Sequence, residues 1–362
     1  SVLRPVEGSQ IMVQAWLPQK WNGKLLAGGG AGFSGGYVFG PAVMLTPLGQ
    51  GYATIVTDAG HKATSSAKFA YDSAEQFTDY GSRANHVAAA FAKTLLKQYY
   101  RAPVQRAYFH GCSNGGRDAL MEARRYPEDY DGIIAGAPAA AWTKLMASFA
   151  WNVTAIEQSA PKLTKKLPLV QNAVIAQCDT LDGVKDGIIE NPLKCKFDPA
   201  QLLCKGDDSK TCLTQGEVTA LNKIYQGPRL KNGTQVYAGM PKGGEALEGN
   251  WDKWITDGDD ASQYNFAQET LRWMVHRDPE WKMERFNLDS DYALAKERVG
   301  KILDSDDPNI IAFTQRGGKL MLYHGWNDGG ISAGWSVDYH NNVQKALGPA
   351  ADESVRLFMV PG

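Results

Sequence analysis

Tyr108-Phe109-His110-Gly111-Cys112-Ser113-Asn114-Gly115-Gly116-Arg117 is the stretch on which the fold turns. The apolar run 104–110 reads as a strand, and residues 115–126 read as a helix stopped by Pro127. Between them stands Gly-x-Ser-x-Gly. A serine on so sharp a strand-to-helix turn needs small neighbours, and Gly111 and Gly115 remove the side chains that would collide there. By chance the pattern is common; the strand before it and the helix after it make Ser113 a nucleophile candidate.

Working outward, residues 11–18 read as a strand, 24–27 as another running into the glycine-rich loop Gly28 to Gly36, and 52–57 as a third. Residues 83–99 have helical spacing, with Val87, Ala90, Phe91, Leu95 and Leu96 on one face. A short buried strand follows at 132–136, and strands return at 319–324 and 355–360. Alternation of strand and helix implies a parallel sheet. Between 141 and 305 that rhythm fails. The expectation is an α/β-hydrolase fold whose core is 1–140 and 306–362, with 141–305 an inserted lid domain.

The net charge of −1 argues against a nucleic-acid partner. No run approaches the roughly 18 apolar residues of a membrane span. Four of the five cysteines, Cys178, Cys195, Cys204 and Cys212, crowd into one stretch at spacings of 17, 9 and 8, unlike a zinc pattern. Two local disulfides, a secreted or periplasmic chain and a removed signal peptide are expected; four reduced thiols are the alternative. Cys112 is left over.

The amide of Asn114, at the helix start, is the expected first oxyanion donor. A second is expected from Gly29 and Gly30, in the segment Gly28 to Gly32; a dinucleotide loop is the weaker reading, because no helix with a downstream ribose-binding acid follows. In this class the acid follows the serine along the chain and the histidine follows the acid. Asp328, in the turn Trp326-Asn327-Asp328-Gly329-Gly330, fits the acid, with Asp338 the weaker alternative. The base is harder. His61, His86 and His110 precede the serine, His276 lies in the insertion, His324 ends the acid's own strand, and His340 sits in a helical run. The catalytic histidine is therefore expected beyond residue 362.

Gly111-Cys112-Ser113-Asn114-Gly115-Gly116-Arg117, Arg125-Tyr126-Pro127, Tyr130-Asp131-Gly132-Ile133-Ile134-Ala135-Gly136-Ala137-Pro138, Thr57-Asp58-Ala59-Gly60-His61 and Tyr323-His324-Gly325-Trp326-Asn327-Asp328 together resemble the tannase and feruloyl esterase family, which also includes a hydrolase of mono(2-hydroxyethyl) terephthalate. The resemblance implies a serine carboxylesterase acting on esters of aromatic acids, and a disulfide from Cys112 to a cysteine directly after the catalytic histidine, beyond residue 362. It pairs Cys178 with Cys195 and Cys204 with Cys212. It also implies structural calcium held by Asp179, Asp182 and Asp186 with the carbonyls of Val184 and Ile188. Read by itself, that loop is equally a solvated acidic turn. No organic cofactor is expected. His324 and Trp273 are expected to face the substrate pocket, while most of Trp251, Trp254, Tyr264, Phe266 and Trp281 are expected to be core. Two rival functions stand beside this one: a non-catalytic aromatic-ligand binding protein on a hydrolase scaffold, and a peptidase or thioesterase.

Overall fold

A computed structural model describes residues 1–62 and 65–362. The chain divides into two compact units. The first comprises Ser1–Trp142, Arg298–Tyr323 and Tyr339–Phe358, and the second Thr143–Glu297, His324–Asp338 and Met359–Gly362. The second therefore includes two short segments, among them the Asp328 turn, that the sequence division leaves with the core.

Among the described residues, strands β1 (Val2–Leu3), β2 (Ile11–Trp16), β3 (Lys24–Gly28), β4 (Ala53–Thr57), β5 (Arg106–Cys112), β6 (Gly132–Gly136), β7 (Lys319–Gly325) and β8 (Val355–Val360) form one sheet in the order β1-β2-β4-β3-β5-β6-β7-β8. β2 runs antiparallel to β1 and to β4, while β4, β3, β5, β6 and β7 are mutually parallel. Every residue of β4 is buried, as β-branched residues are when both faces of a parallel sheet are covered.

Helices of the first unit include α1 (Gly40–Gly49), α2 (Ala84–Tyr100) and α3 (Asn114–Arg125). α1 has no expectation behind it; Gly40, Pro47 and Gly49 are weak helix formers. The buried side of α2 meets the expected one at Leu96 and otherwise differs: Ala84, Ala88, Ala89 and Ala92 are inside with it, and Ala90 is exposed. Alanine lets this helix pack closely, so its small residues rather than Val87, Phe91 and Leu95 make the inner face. Just before α2, residues Asp79–Arg83 form a wider π-helical turn.

The long stretch Thr143–Glu297 of the second unit contains no strand, and the unit's strand residues are the ends of β7 and β8. Its helices include α4 (Trp142–Ser159), which begins one residue before the unit does, α5 (Leu167–Cys178) and α6 (Gln215–Gln226). The start of α6 is fixed reciprocally: Glu217 N–H donates to Thr214 Oγ1 at 3.2 Å, and Thr214 N–H to Glu217 Oε2 at 2.8 Å. Leu163, Leu167, Val170, Val174, Leu213, Leu221 and Trp251 build the core, which also takes in Cys178 and Cys195. The disulfides are Cys178–Cys195 and Cys204–Cys212.

Candidate active site

Ser113 stands between the end of β5 and the first residue of α3 with φ 61° and ψ −122°. A side chain is strained in that region, and such strain persists only where surroundings enforce it. They do so here through three backbone bonds: Ser113 N–H donates to Gly136 O, while Ser113 O accepts from Arg117 and Ala139 N–H, at 3.0, 3.1 and 3.0 Å. The flanking glycines have a steric reason. A Cβ on Gly111 would lie 2.2 Å from Gly115 O, and one on Gly115 2.7 Å from Gly30 O. The half-buried serine is thus held at the helix N-terminus, where the Asn114 amide and the helix dipole favour negative charge.

The glycine loop after β3 packs against this helix start, since a Cβ on Gly29 would meet Gly115 Cα at 2.7 Å. Its two expected oxyanion donors are engaged within the fold. Gly29 N–H donates to His110 O at 3.0 Å, and Gly30 N–H to Asp118 Oδ2 at 3.0 Å. An amide has one proton, so in this arrangement these two residues act as scaffold. Burial raises the Asp118 carboxyl above its ordinary range, against the opposing pull of Arg117 and of bonds from Gly30, Asn85 and Arg117. Cys112, next to the serine, is exposed and outside both disulfides. It is hydrogen-bonded to Tyr323, whose hydroxyl is pushed up to about 12 by burial and by the Cys112 sulfur.

In the second unit, Asp328 is fixed by its own turn. Oδ1 accepts from Gly330 and Ile331 N–H at 2.8 and 2.9 Å, while Oδ2 lies 3.2 Å from His324 Nε2, in a carboxylate that is 27% exposed. His324 is corrected from its expected place on a pocket wall. It is fully buried, with Nδ1 2.7 Å from Ser336 Oγ and Nε2 3.1 Å from Ile331 O and 3.2 Å from Asp328 Oδ2. Both ring nitrogens are committed to holding the turn. Trp273 is half-buried, with the Arg272 guanidinium 5.9 Å over its ring. Trp251 and Trp281 are core residues, while Trp254 and Phe266 stack at 6.3 Å.

The other histidines have local roles. His86 Nδ1 bonds Asp129 at 2.6 Å, His276 Nε2 bonds Asp291 at 3.1 Å, His340 contacts Gln344, and His61 stacks on Phe69 at 3.7 Å. Burial lowers His110 below the ordinary imidazole range.

The acidic loop after α5 bonds to itself. Asp179, 5% exposed, accepts from Asp186 and Gly187 N–H at 3.2 and 2.9 Å. Asp182 accepts from Val184 N–H at 2.8 Å, and Asp186 from Ile188 N–H at 3.0 Å. Carboxylate and carbonyl oxygens suit a hard cation chemically. As folded, the loop does not gather them: among the described residues no three His, Cys, Asp or Glu side chains converge closely enough to hold a metal.

A mixed sheet, parallel from β4 through β7, with a strained serine between strand and helix defines the α/β-hydrolase class. The chain belongs to the tannase and feruloyl esterase family, whose model matches residues 1–362. An uncharacterised esterase of Xanthomonas campestris is 33% identical over 392 residues, covering 100% of this chain and 67% of the relative. Feruloyl esterase B of Aspergillus niger is 32% identical over 365 residues, covering 98% and 67%. The crystal structure of feruloyl esterase B from Aspergillus oryzae matches with a TM-score of 0.90 at 29% identity, covering 100% of this chain and 72% of that one. Tannin acyl hydrolase from Aspergillus niger shares the fold, with a TM-score of 0.81 at 20% identity over 99% of this chain and 71% of that one. No helix among the described residues is long and apolar enough to cross a membrane.

Proposed function

We propose that this esterase-family chain is a serine carboxylesterase for small esters of aromatic acids, of the feruloyl or galloyl type. The observation that carries the proposal is the strained backbone of Ser113 at the strand-to-helix turn, joined to relatives named feruloyl esterase B. Ser113 Oγ attacks the ester carbonyl, the Asn114 amide holds the developing oxyanion, the alcohol leaves, and water releases the acid from the acyl-enzyme. Asp328 is the orienting carboxylate: two amides fix one oxygen, and the other, 3.2 Å from His324 Nε2, has a second lone pair with which to accept from the catalytic imidazole N–H. The base we assign to a histidine beyond residue 362, since five of the six here have the partners described above and His110 is a strand residue. The two disulfides support an extracellular or periplasmic location.

For the loop Asp179–Ile188 the proposal is structural calcium. Its support is the oxygen-rich donor set, together with the exposure of Asp182 and Asp186, each holding one local bond that a cation can displace.

Full-length protein should hydrolyse methyl ferulate, methyl gallate or mono(2-hydroxyethyl) terephthalate, and Ser113→Ala should abolish that turnover. The terephthalate ester is the alternative substrate within the same chemistry. Saturable binding of aromatic acids with no hydrolysis of any ester would instead mean a binding protein, and turnover of a thioester or peptide alone would replace the substrate class.

A further inference from the structure

Arg117, one turn into α3, is fully buried yet carries a charge, so its partners show what the fold needs it for. Nε donates to Asn114 Oδ1 at 2.7 Å, Nη1 to Gly81 O at 2.8 Å, and Nη2 to Tyr80 O at 2.9 Å and Asp118 Oδ1 at 2.6 Å. The two carbonyls belong to the wider turn before α2. The guanidinium also lies 4.9 Å over the Tyr80 ring. Tyr80 Oη in turn is 2.8 Å from Gly32 O and 3.1 Å from Asn114 Oδ1. Asp118 closes the circuit, taking Arg117 on Oδ1 and Gly30 N–H on Oδ2.

Two points of the glycine loop are thereby tied to α3: Gly30 through Asp118, and Gly32 through Tyr80, whose one hydroxyl proton is shared between Gly32 O and Asn114 Oδ1. Asn114 is also the residue whose amide the proposed mechanism uses, so the bonds that hold its side chain anchor the residue that carries that amide. We propose that Arg117, Asp118 and Tyr80 are positioning residues that clamp the glycine loop to the nucleophile's helix and hold the oxyanion-binding backbone in place for ester hydrolysis. The clamp touches no substrate. It acts on the transition state because a donor displaced by about 1 Å loses most of its effect there, on the order of a hundredfold in rate.

This inference rests on Ser113 being the nucleophile, and the test separates the two. Tyr80→Phe keeps the ring and removes only the hydroxyl; Asp118→Asn keeps the shape and removes the charge. Both are compared with the full-length wild type for kcat, KM and Tm, on whichever aromatic ester the wild type hydrolyses. The clamp predicts that kcat of folded Tyr80→Phe falls roughly tenfold or more, with KM within about twofold and Tm within a few degrees, and that Asp118→Asn falls further. If Asp118→Asn does not fold, Tyr80→Phe decides. A variant that melts earlier but keeps wild-type kcat per folded molecule overturns the clamp while leaving the esterase intact. A wild type that hydrolyses no ester overturns the reading beneath it.

Discussion

The Ser336 hydroxyl lies 2.7 Å from His324 Nδ1. The other ring nitrogen faces the Ile331 carbonyl at 3.1 Å, so the ring proton belongs on Nε2 and Nδ1 accepts from the serine. Ser336→Ala leaves a buried acceptor unsatisfied, a loss of about 1–3 kcal/mol. Thermal unfolding is expected to show a lowered Tm. An unchanged Tm would show that the Ser336–His324 bond does not support the Asp328 turn.

Half-buried Ser113 holds its place in the turn with a positive φ of 61°. Glycine takes up φ near 60° without a Cβ penalty, so Ser113→Gly should gain about 1 kcal/mol in stability while losing all ester hydrolysis. Denaturant titration beside an activity assay checks both halves; a destabilised variant would show that the serine side chain itself holds the elbow.

Glu122 is 1% exposed, and its carboxyl is pushed well above 4.5 by burial first and then by the charges of Asp129 and Asp118. The folded protein thus keeps a proton that the unfolded chain releases, so this group's contribution is fully present below about pH 4.5 and is lost as pH rises toward the raised value. Glu122→Gln removes that dependence. Its Tm relative to wild type should climb with pH above 4.5, and parallel Tm profiles for the two proteins would refute the assignment.

Calcium, if held by the loop Asp179–Ile188, binds only the folded state and raises Tm by mass action. Chelation should lower the melting temperature of the wild type and leave Asp182→Asn with Asp186→Asn nearly unmoved. Equal behaviour with and without chelator would leave the loop as a set of self-capped turns.

How much of this was legible follows from how far apart the cooperating residues stand. Gly111, Ser113 and Gly115 declare the elbow because steric exclusion acts over four residues and writes glycine at fixed positions. The parallel strands were equally plain, being short apolar runs bounded by turns. α4 was not: Thr143, Ala147, Ser148, Asn152 and Ala155 are buried as well as Leu145, Phe149 and Val153, so burial reaches round the helix and its sequence shows little of the one-sided contrast that marks a surface helix. The clamp was invisible for another reason. Gly30 and Asp118 are 88 residues apart, and Tyr80 and Asn114 34, distances over which no local pattern constrains residue type. His324 was misplaced because its neighbourhood in sequence is the acid's turn, while the group that engages Nδ1, Ser336, arrives from the helix Ala333–Leu347.

Each unit is stitched from three separated stretches, the first reaching Phe358 and the second Gly362. During vectorial synthesis neither can close when its first long stretch has emerged from the ribosome. The helices of 143–297 wait for His324–Asp338, and β6 waits for β7. The nascent chain therefore carries two unfinished hydrophobic interiors at once, the condition under which holding chaperones and slow, late consolidation matter most.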